Sequence, residues 1–215
     1  KHRPQLRDID PTNKLLHRQN RFRVEAETVR DLHLAASDLL SRKVGGPSVY
    51  PPIPAGITDQ TYNSSFKWKT SAGGDRYRRG MYTFWKRQSP PANMLLFDAP
   101  NREICTVRRA RTNTPLQALA LMNDPQFVEA ARGLAVCMMT VDAATSADRV
   151  VHGFRRATSR HPNETEVGVL LRVYEDQCAE YKADVASAEA LLGVGDLPVP
   201  ESLDPCELAA WSTVA

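Results

Sequence analysis

Apolar positions recur at helical intervals at both ends of this chain and lose any clear period in between. Val29, Leu32, Ala36 and Leu39, with Leu40 beside it, follow steps of three and four and predict one helix face from about Val24 to Arg42. Gly45-Gly46 is expected to stop that helix and Pro47 to prevent its resumption. The glycine pair follows a helix and lacks the Lys-Ser/Thr of a P-loop, so it reads as a helix end and not as a phosphate cradle. Residues 47–75 hold Pro47, Pro51, Pro52, Pro54, Gly56, Gly73 and Gly74 and predict a long loop. Its aromatics Tyr50, Tyr62, Phe66 and Trp68 argue against full disorder, because such side chains seek burial. From Arg76 to Gln88, Tyr77, Tyr82, Phe84 and Trp85 are framed by Arg78, Arg79, Lys86 and Arg87, with a period that fits either a short strand or one to two helical turns.

The second half is written in helix starts. Thr114-Pro115 and Asp124-Pro125 each place a capping side chain ahead of proline at the first helical position. Leu116, Leu119 and Ala120 form the apolar face of the first, and Phe127, Val128, Ala131, Leu134, Ala135 and Met138 that of the second. Ser146 is a cap for a helix carrying Val150, Val151 and Phe154. Asn163 with Glu166 has capping-box spacing and opens a long helix to about Asp184; Asp204-Pro205-x-Glu207 opens the last. The fold class that follows is mainly α, with a compact helical C-terminal half packed on an irregular, loop-rich basic N-terminal half. Residues 1–20 read as an extended arm and 21–215 as a single helix-rich domain. Lys1 in place of an initiator Met, and a last helix still open at Ala215, predict truncation or processing at both ends.

Charge sharpens the division. The net +3 of 215 residues hides 21 Lys+Arg against 10 Asp+Glu over 1–111 and 7 against 15 over 112–215. Halves of opposite sign suggest an internal electrostatic fit, with a basic surface for an acidic partner as the alternative. Cys105, Cys137, Cys178 and Cys206 form no C-x-x-C, which excludes zinc-ribbon, thioredoxin-like and haem-attachment motifs within the sequence. Cys137 and Cys178 sit beside apolar neighbours and read as core residues; disulfides cannot be deduced from these spacings. No run approaches the roughly 20 apolar residues of a membrane span, and no leader pattern is visible.

No G-x-S-x-G, H-E-x-x-H or G-x-G-x-x-G occurs, and His2, His17, His33, His152 and His161 lack metal-ligand spacing. Asn63-Ser64-Ser65 and Asn163-Glu164-Thr165 match the glycosylation sequon, the second having a better role as a cap. The densest polar segment is 97–115. There Asp98, Asn101, Arg102, Arg108, Arg109, Arg111 and Asn113 could hold an anion, since guanidinium forks and the free N–H groups of the following helix start both favour negative charge. The competing reading makes these arginines structural pins, paired with Asp98, Glu103 or carboxylates of the acidic half. Residues 76–111 also hold nine Lys+Arg and two Asp+Glu among aromatics, a composition that suits nucleic acid. No nucleic-acid module is recognisable, so that reading stands third.

Leu39-Leu-Ser-Arg-Lys-Val-Gly-Gly-Pro-Ser48, Tyr82-Thr-Phe-Trp-Lys-Arg87, Phe97-Asp-Ala-Pro-Asn-Arg-Glu103, Arg111-Thr-Asn-Thr-Pro-Leu-Gln-Ala-Leu119 and Asn123-Asp-Pro-Gln-Phe-Val-Glu-Ala-Ala131 together resemble the planctomycete-specific C-terminal domain called domain of unknown function 1553. Leu191-Leu-Gly-Val-Gly195 and Asp204-Pro-Cys-Glu-Leu-Ala-Ala-Trp211 fit its closing part. The resemblance implies a long exported chain, periplasmic or at the cell surface, with a C-x-x-C-H haem c module upstream and this domain at its end. It implies no haem or other cofactor in this segment, and no catalytic residues. The partners it implies are upstream domains of the same chain, with a surface polysaccharide or a redox partner as further candidates. Ala110 stands where the family commonly has an acidic residue between arginines, and the sequence stops before the family's usual tail. The expected role is an accessory or scaffold domain; the alternative is an enzyme module acting on a polysaccharide or sulfated substrate, with the anion site in 97–113.

Overall fold

The computed structural model describes residues 4–6, 8–19, 22–54, 56, 67–87 and 89–215. Tyr62, Phe66 and the Asn63-Ser64-Ser65 sequon lie outside the described residues. Among the described residues eight α-helices follow one another: α1 (Ala26–Ala36), α2 (Ala92–Leu96), α3 (Pro115–Asn123), α4 (Pro125–Thr140), α5 (Ser146–Thr158), α6 (Glu164–Ala183), α7 (Val185–Leu192) and α8 (Pro205–Val214). Among the described residues there is no β-strand, and the mainly α class holds. Of the stretch 76–88, whose last residue lies outside the described residues, 76–87 runs through 3-10 turns at Gly73–Tyr77 and Gly80–Tyr82, tied to the chain after α1 by the isolated bridges Ser41 to Arg78 and Val49 to Thr83.

The starts of the later helices are set by local chemistry. Thr114 and Asn163 close reciprocal capping boxes with Gln117 and Glu166, and Asp124 and Asp204 accept from the backbone of the first turn, both ahead of proline. The cap of α5 is Thr145, boxed with Asp148, one residue earlier than expected. Asp184 serves twice. Its N–H closes α6 on the Glu180 carbonyl, where the sequence reading ended that helix, while its carboxylate caps α7, a helix the sequence reading did not anticipate.

Helix α1 departs most from expectation. It ends at Ala36, because Asp38 takes a left-handed φ of 64° and both the Leu39 and Leu40 amides turn back to the Leu34 carbonyl. Gly45-Gly46 therefore caps no helix. The buried face is Ala26, Arg30 and Leu34; of the predicted stripe Val29 packs against the smaller core while Leu32 is exposed, so the stripe is rotated from the buried face. In α3 a related mismatch occurs: Gln117 is buried while Leu116 and Leu119 face outward.

Helix α4 is the spine. Its Leu134, Ala135, Met138 and Met139 enter the larger core with Val150, Ala188, Leu192, Leu208, Ala209 and Trp211; its Phe127 enters a smaller one with Ala26, Met94, Phe97 and Ala99. Tyr174 stacks on Trp211 at 4.0 Å between ring centroids and donates its hydroxyl hydrogen to Glu207. Gly153 of α5 sits where a Cβ would overlap the side chain of Met138, and this lets the two helices close. All four cysteines are free: Cys206 is buried, Cys137 and Cys178 half-buried, and Cys105 exposed.

Candidate functional site

The strongest concentration of buried charge lies on α4, away from the segment the sequence singles out. Glu129 is 2% exposed. One carboxylate oxygen accepts from Arg76 Nε at 3.0 Å; the other accepts from the Tyr77 hydroxyl at 2.9 Å and from the Asp196 and Leu197 amides at 2.7 and 2.8 Å. Arg76 also pairs with Asp196 at 3.0 Å. One turn along, Arg132 donates to the Leu192 and Leu197 carbonyls, so Glu129 and Arg132 together clamp the loop 192–197. Gly195 fits there because it adopts φ 85° and its missing Cβ would stand 2.5 Å from Glu129 Cδ. Burial and the bond to Glu129 raise the Tyr77 phenol to about 12.

Arginine clamps backbone on the other side as well. Arg30 donates to the Arg76 carbonyl at 2.7 Å, to the Arg78 carbonyl at 3.4 Å and to the Gln126 side chain, and burial lowers its pKa to about 10. Arg78 is wholly buried, lies 3.8 Å over the Tyr82 ring and donates to the carbonyls of Pro47, Lys43 and Gly45. Gly45 and Gly46, at φ 77° and 93°, bend the chain around that guanidinium, and the Tyr82 hydroxyl accepts from the Gly45 amide. The fork of donors suits this work: the two terminal nitrogens of Arg78 reach three carbonyls at fixed angles, which a lysine could not reproduce, although the buried Nε of Arg78 finds no partner among the described residues.

The segment 97–113 divides into separate groups. Asp98 accepts from the Thr112 amide at 2.7 Å and from its hydroxyl; it does not pair with the arginines. Arg109 pairs with Glu27 at 2.7 Å and Glu25 at 3.1 Å, so its partners come from the start of α1 and not from the acidic half. Burial pushes the Glu27 carboxyl up, but the Arg109 bond outweighs this and holds it below its usual range. Asn113 accepts from Arg23. The Asn101 carbonyl accepts from Trp85, whose ring Arg102 covers at 4.4 Å. Arg108 and Arg111 are exposed and form no ion pair with a described residue. Arg109, Arg111, Asp98 and Thr112 share a depression with Arg23 and Glu25 whose enclosed space, about 10 Å³, holds about one water.

A family model described as PSD1, a protein of unknown function (DUF1553), matches residues 1–174. The chain belongs to this family. No curated protein and no solved structure matches it. In this PSD1 member the unusual sequence words acquire structural work: Arg-Lys-Val-Gly-Gly-Pro is the collar of Arg78, and Asn-Asp-Pro-Gln-Phe-Val-Glu carries the α4 cap, the Arg30 acceptor Gln126 and the clamp residue Glu129. The match stops inside α6, yet the PSD1 structure continues: Asp196 and Leu197 complete the Glu129 clamp, and α8 fills the larger core. Sequence reasoning overlooked the clamp because Glu129 looks like an ordinary solvent-facing helix charge. The one local signal was Gly195, a glycine past the end of α7 and well ahead of the start of α8.

At the C-terminal end of α5, His152, Arg155, Arg156 and Ser159 line an open hollow of about 340 Å³. Arg156 donates to the Ala36 carbonyl at the end of α1 and lies 3.8 Å from Asp38, so it neutralises helix ends, where cations are favoured. Among the described residues no group of three or more His, Cys, Asp or Glu is placed to hold a metal ion, and no helix is long and apolar enough to cross a membrane.

Proposed function

We propose that this PSD1 domain is an accessory scaffold of an exported, cytochrome c-like planctomycete protein, holding a haem-bearing upstream module at a surface or redox partner. What supports the reading is the use made of the charged side chains: Arg30, Arg78, Arg132 and Glu129 are spent on holding the backbone of three segments, 43–47, 76–78 and 192–197, and Arg76 on pairing with Glu129. Haem c belongs, in this reading, to a C-x-x-C-H segment upstream and not to the 215 residues themselves. Produced in a host that attaches haem c, the chain is expected to show no Soret band after denaturation; a band that survives would overturn the assignment. Removing the domain from the full-length protein should leave the haem spectrum intact and abolish attachment to the surface or partner. Retained attachment, with loss of a catalytic turnover, would favour the second reading, an enzyme module acting on a polysaccharide or sulfated substrate. One observation favours that alternative: Arg111, which forms no ion pair with a described residue, lines the depression beside Arg23 and Arg109.

A further inference from the structure

Helix α3 turns two of its three leucines to water. Leu116, Leu119 and Met122 are 62%, 53% and 73% exposed, while the residue it buries is Gln117, which donates to the Leu96 carbonyl and the Thr112 hydroxyl. Residues three apart drift by about 60° around a helix, so the three form one continuous outward row. Ala120 and Leu121 meet the small core on the other side, which makes α3 apolar nearly all round. A helix of that kind is normally covered on both faces. The loop leading into it adds Ile104 and Val107, both strongly exposed.

Charge says what the covering chain carries. Between Ala99 and Thr114 the loop holds Arg102, Arg108, Arg109 and Arg111 against the single acid Glu103. Arg109 is neutralised by Glu25 and Glu27, and Asp98 is occupied by Thr112, which leaves Arg108 and Arg111 without a carboxylate among the described residues. The positive end of α3 lies at the same place. Two copies meeting on this face about a two-fold axis would set cation against cation, so self-pairing is disfavoured.

We propose that the outer row of α3 and the loop 101–113 form a docking face for an acidic segment of a partner chain, with apolar residues at helical spacing that lie along Leu116, Leu119 and Met122. This rests on the scaffold reading, to which it adds the surface and the chemistry of the contact. The test uses the whole 215-residue chain and a fluorescent peptide of about 15 residues built from Glu and Leu, with Leu at i, i+3 and i+4, alongside the same peptide with Lys for Glu. The Glu peptide should bind at least about tenfold more tightly, and less tightly as salt rises from about 50 to about 300 mM. Leu119→Ser with Met122→Ser should weaken it by about tenfold or more at an unchanged melting temperature, and Arg108→Gln with Arg111→Gln should erase the preference for Glu over Lys. Equal binding of the two peptides, or binding indifferent to both variants, overturns the proposal. So does self-association in sedimentation that Leu119→Ser abolishes, since a second copy would then be the occupant. A chain that ignores the Glu peptide yet still tethers its upstream module would lose this face alone, whereas peptide binding without tethering would sink the scaffold reading.

Discussion

Replacing Glu129 by Gln keeps its shape but takes the charge from Arg76, which remains 5% exposed, and leaves one acceptor oxygen for two sets of donors: if it serves the Asp196 and Leu197 N–H groups, the new NH2 faces the Arg76 Nε–H. Breaking one side of a buried ion pair costs about 3–5 kcal/mol, so Glu129→Gln should melt roughly 10 °C below the parent in calorimetry. The arginines of 102–111 divide differently from a uniform set of pins. Arg109→Met loses Glu25 and Glu27 and should cost about 1 kcal/mol in urea unfolding, while Arg108→Met should stay within about 0.5 kcal/mol. Equal losses at both positions would show that Arg108 has a structural partner after all. Tyr77 supplies a pH signature. Its phenol is raised from 10.0 to about 12, so the neutral form is favoured in the folded chain, and this contribution is complete below pH 10 and lost as pH climbs toward 12. Tyr77→Phe removes the titrating group, and the stability gap between parent and variant should therefore narrow across that alkaline window.

Of the three glycines inside the described helices, Gly133, Gly153 and Gly168, the last two should respond in opposite directions to alanine. Gly168 in α6 has nothing within 4 Å of a new methyl, so Gly168→Ala should stabilise by about 1 kcal/mol through propensity alone. Gly153 in α5 meets Met138, itself buried in the larger core, and Gly153→Ala should destabilise despite the same gain in propensity. Denaturant midpoints of the two variants on either side of the parent would establish the contrast; a gain at both would show that Met138 can move aside. Caps at Thr114, Asp124, Asn163 and Asp204 were legible in the sequence because a cap and the backbone N–H it accepts from lie within three residues. The end of α1 was not, since it depends on Asp38 entering the left-handed region while apolar residues continue beyond it. Burial in α1 and α3 was misread for one reason: Arg30 and Gln117 go inward to serve carbonyls contributed by other segments, and periodicity counts polar residues as outward. The clamp itself was out of reach, as Glu129 meets Arg76 and Asp196 across 53 and 67 residues.

At the scale of the molecule, the basic and acidic halves do meet, through Arg76 with Glu129 and Asp196 and through Arg156 with Asp38. Cleavage within the exposed loop 101–113 should therefore leave two pieces that copurify and melt in one transition; two independently melting products would refute the single unit. A chain ended after Tyr174, where the family match stops, should fail to fold in circular dichroism, because it lacks the wholly buried Leu208, Ala209 and Trp211. The Glu129 clamp has a further consequence, in time. It closes when three stretches far apart in sequence arrive together, which places it late, after the locally capped helices have formed. Losing such a contact leaves the rate of folding nearly untouched and speeds escape from the folded state, so in stopped-flow measurements Glu129→Gln should shift the unfolding limb while the refolding limb stays in place. The carboxylate then governs how long a folded molecule survives between openings, which is the quantity that matters to a protein facing proteases.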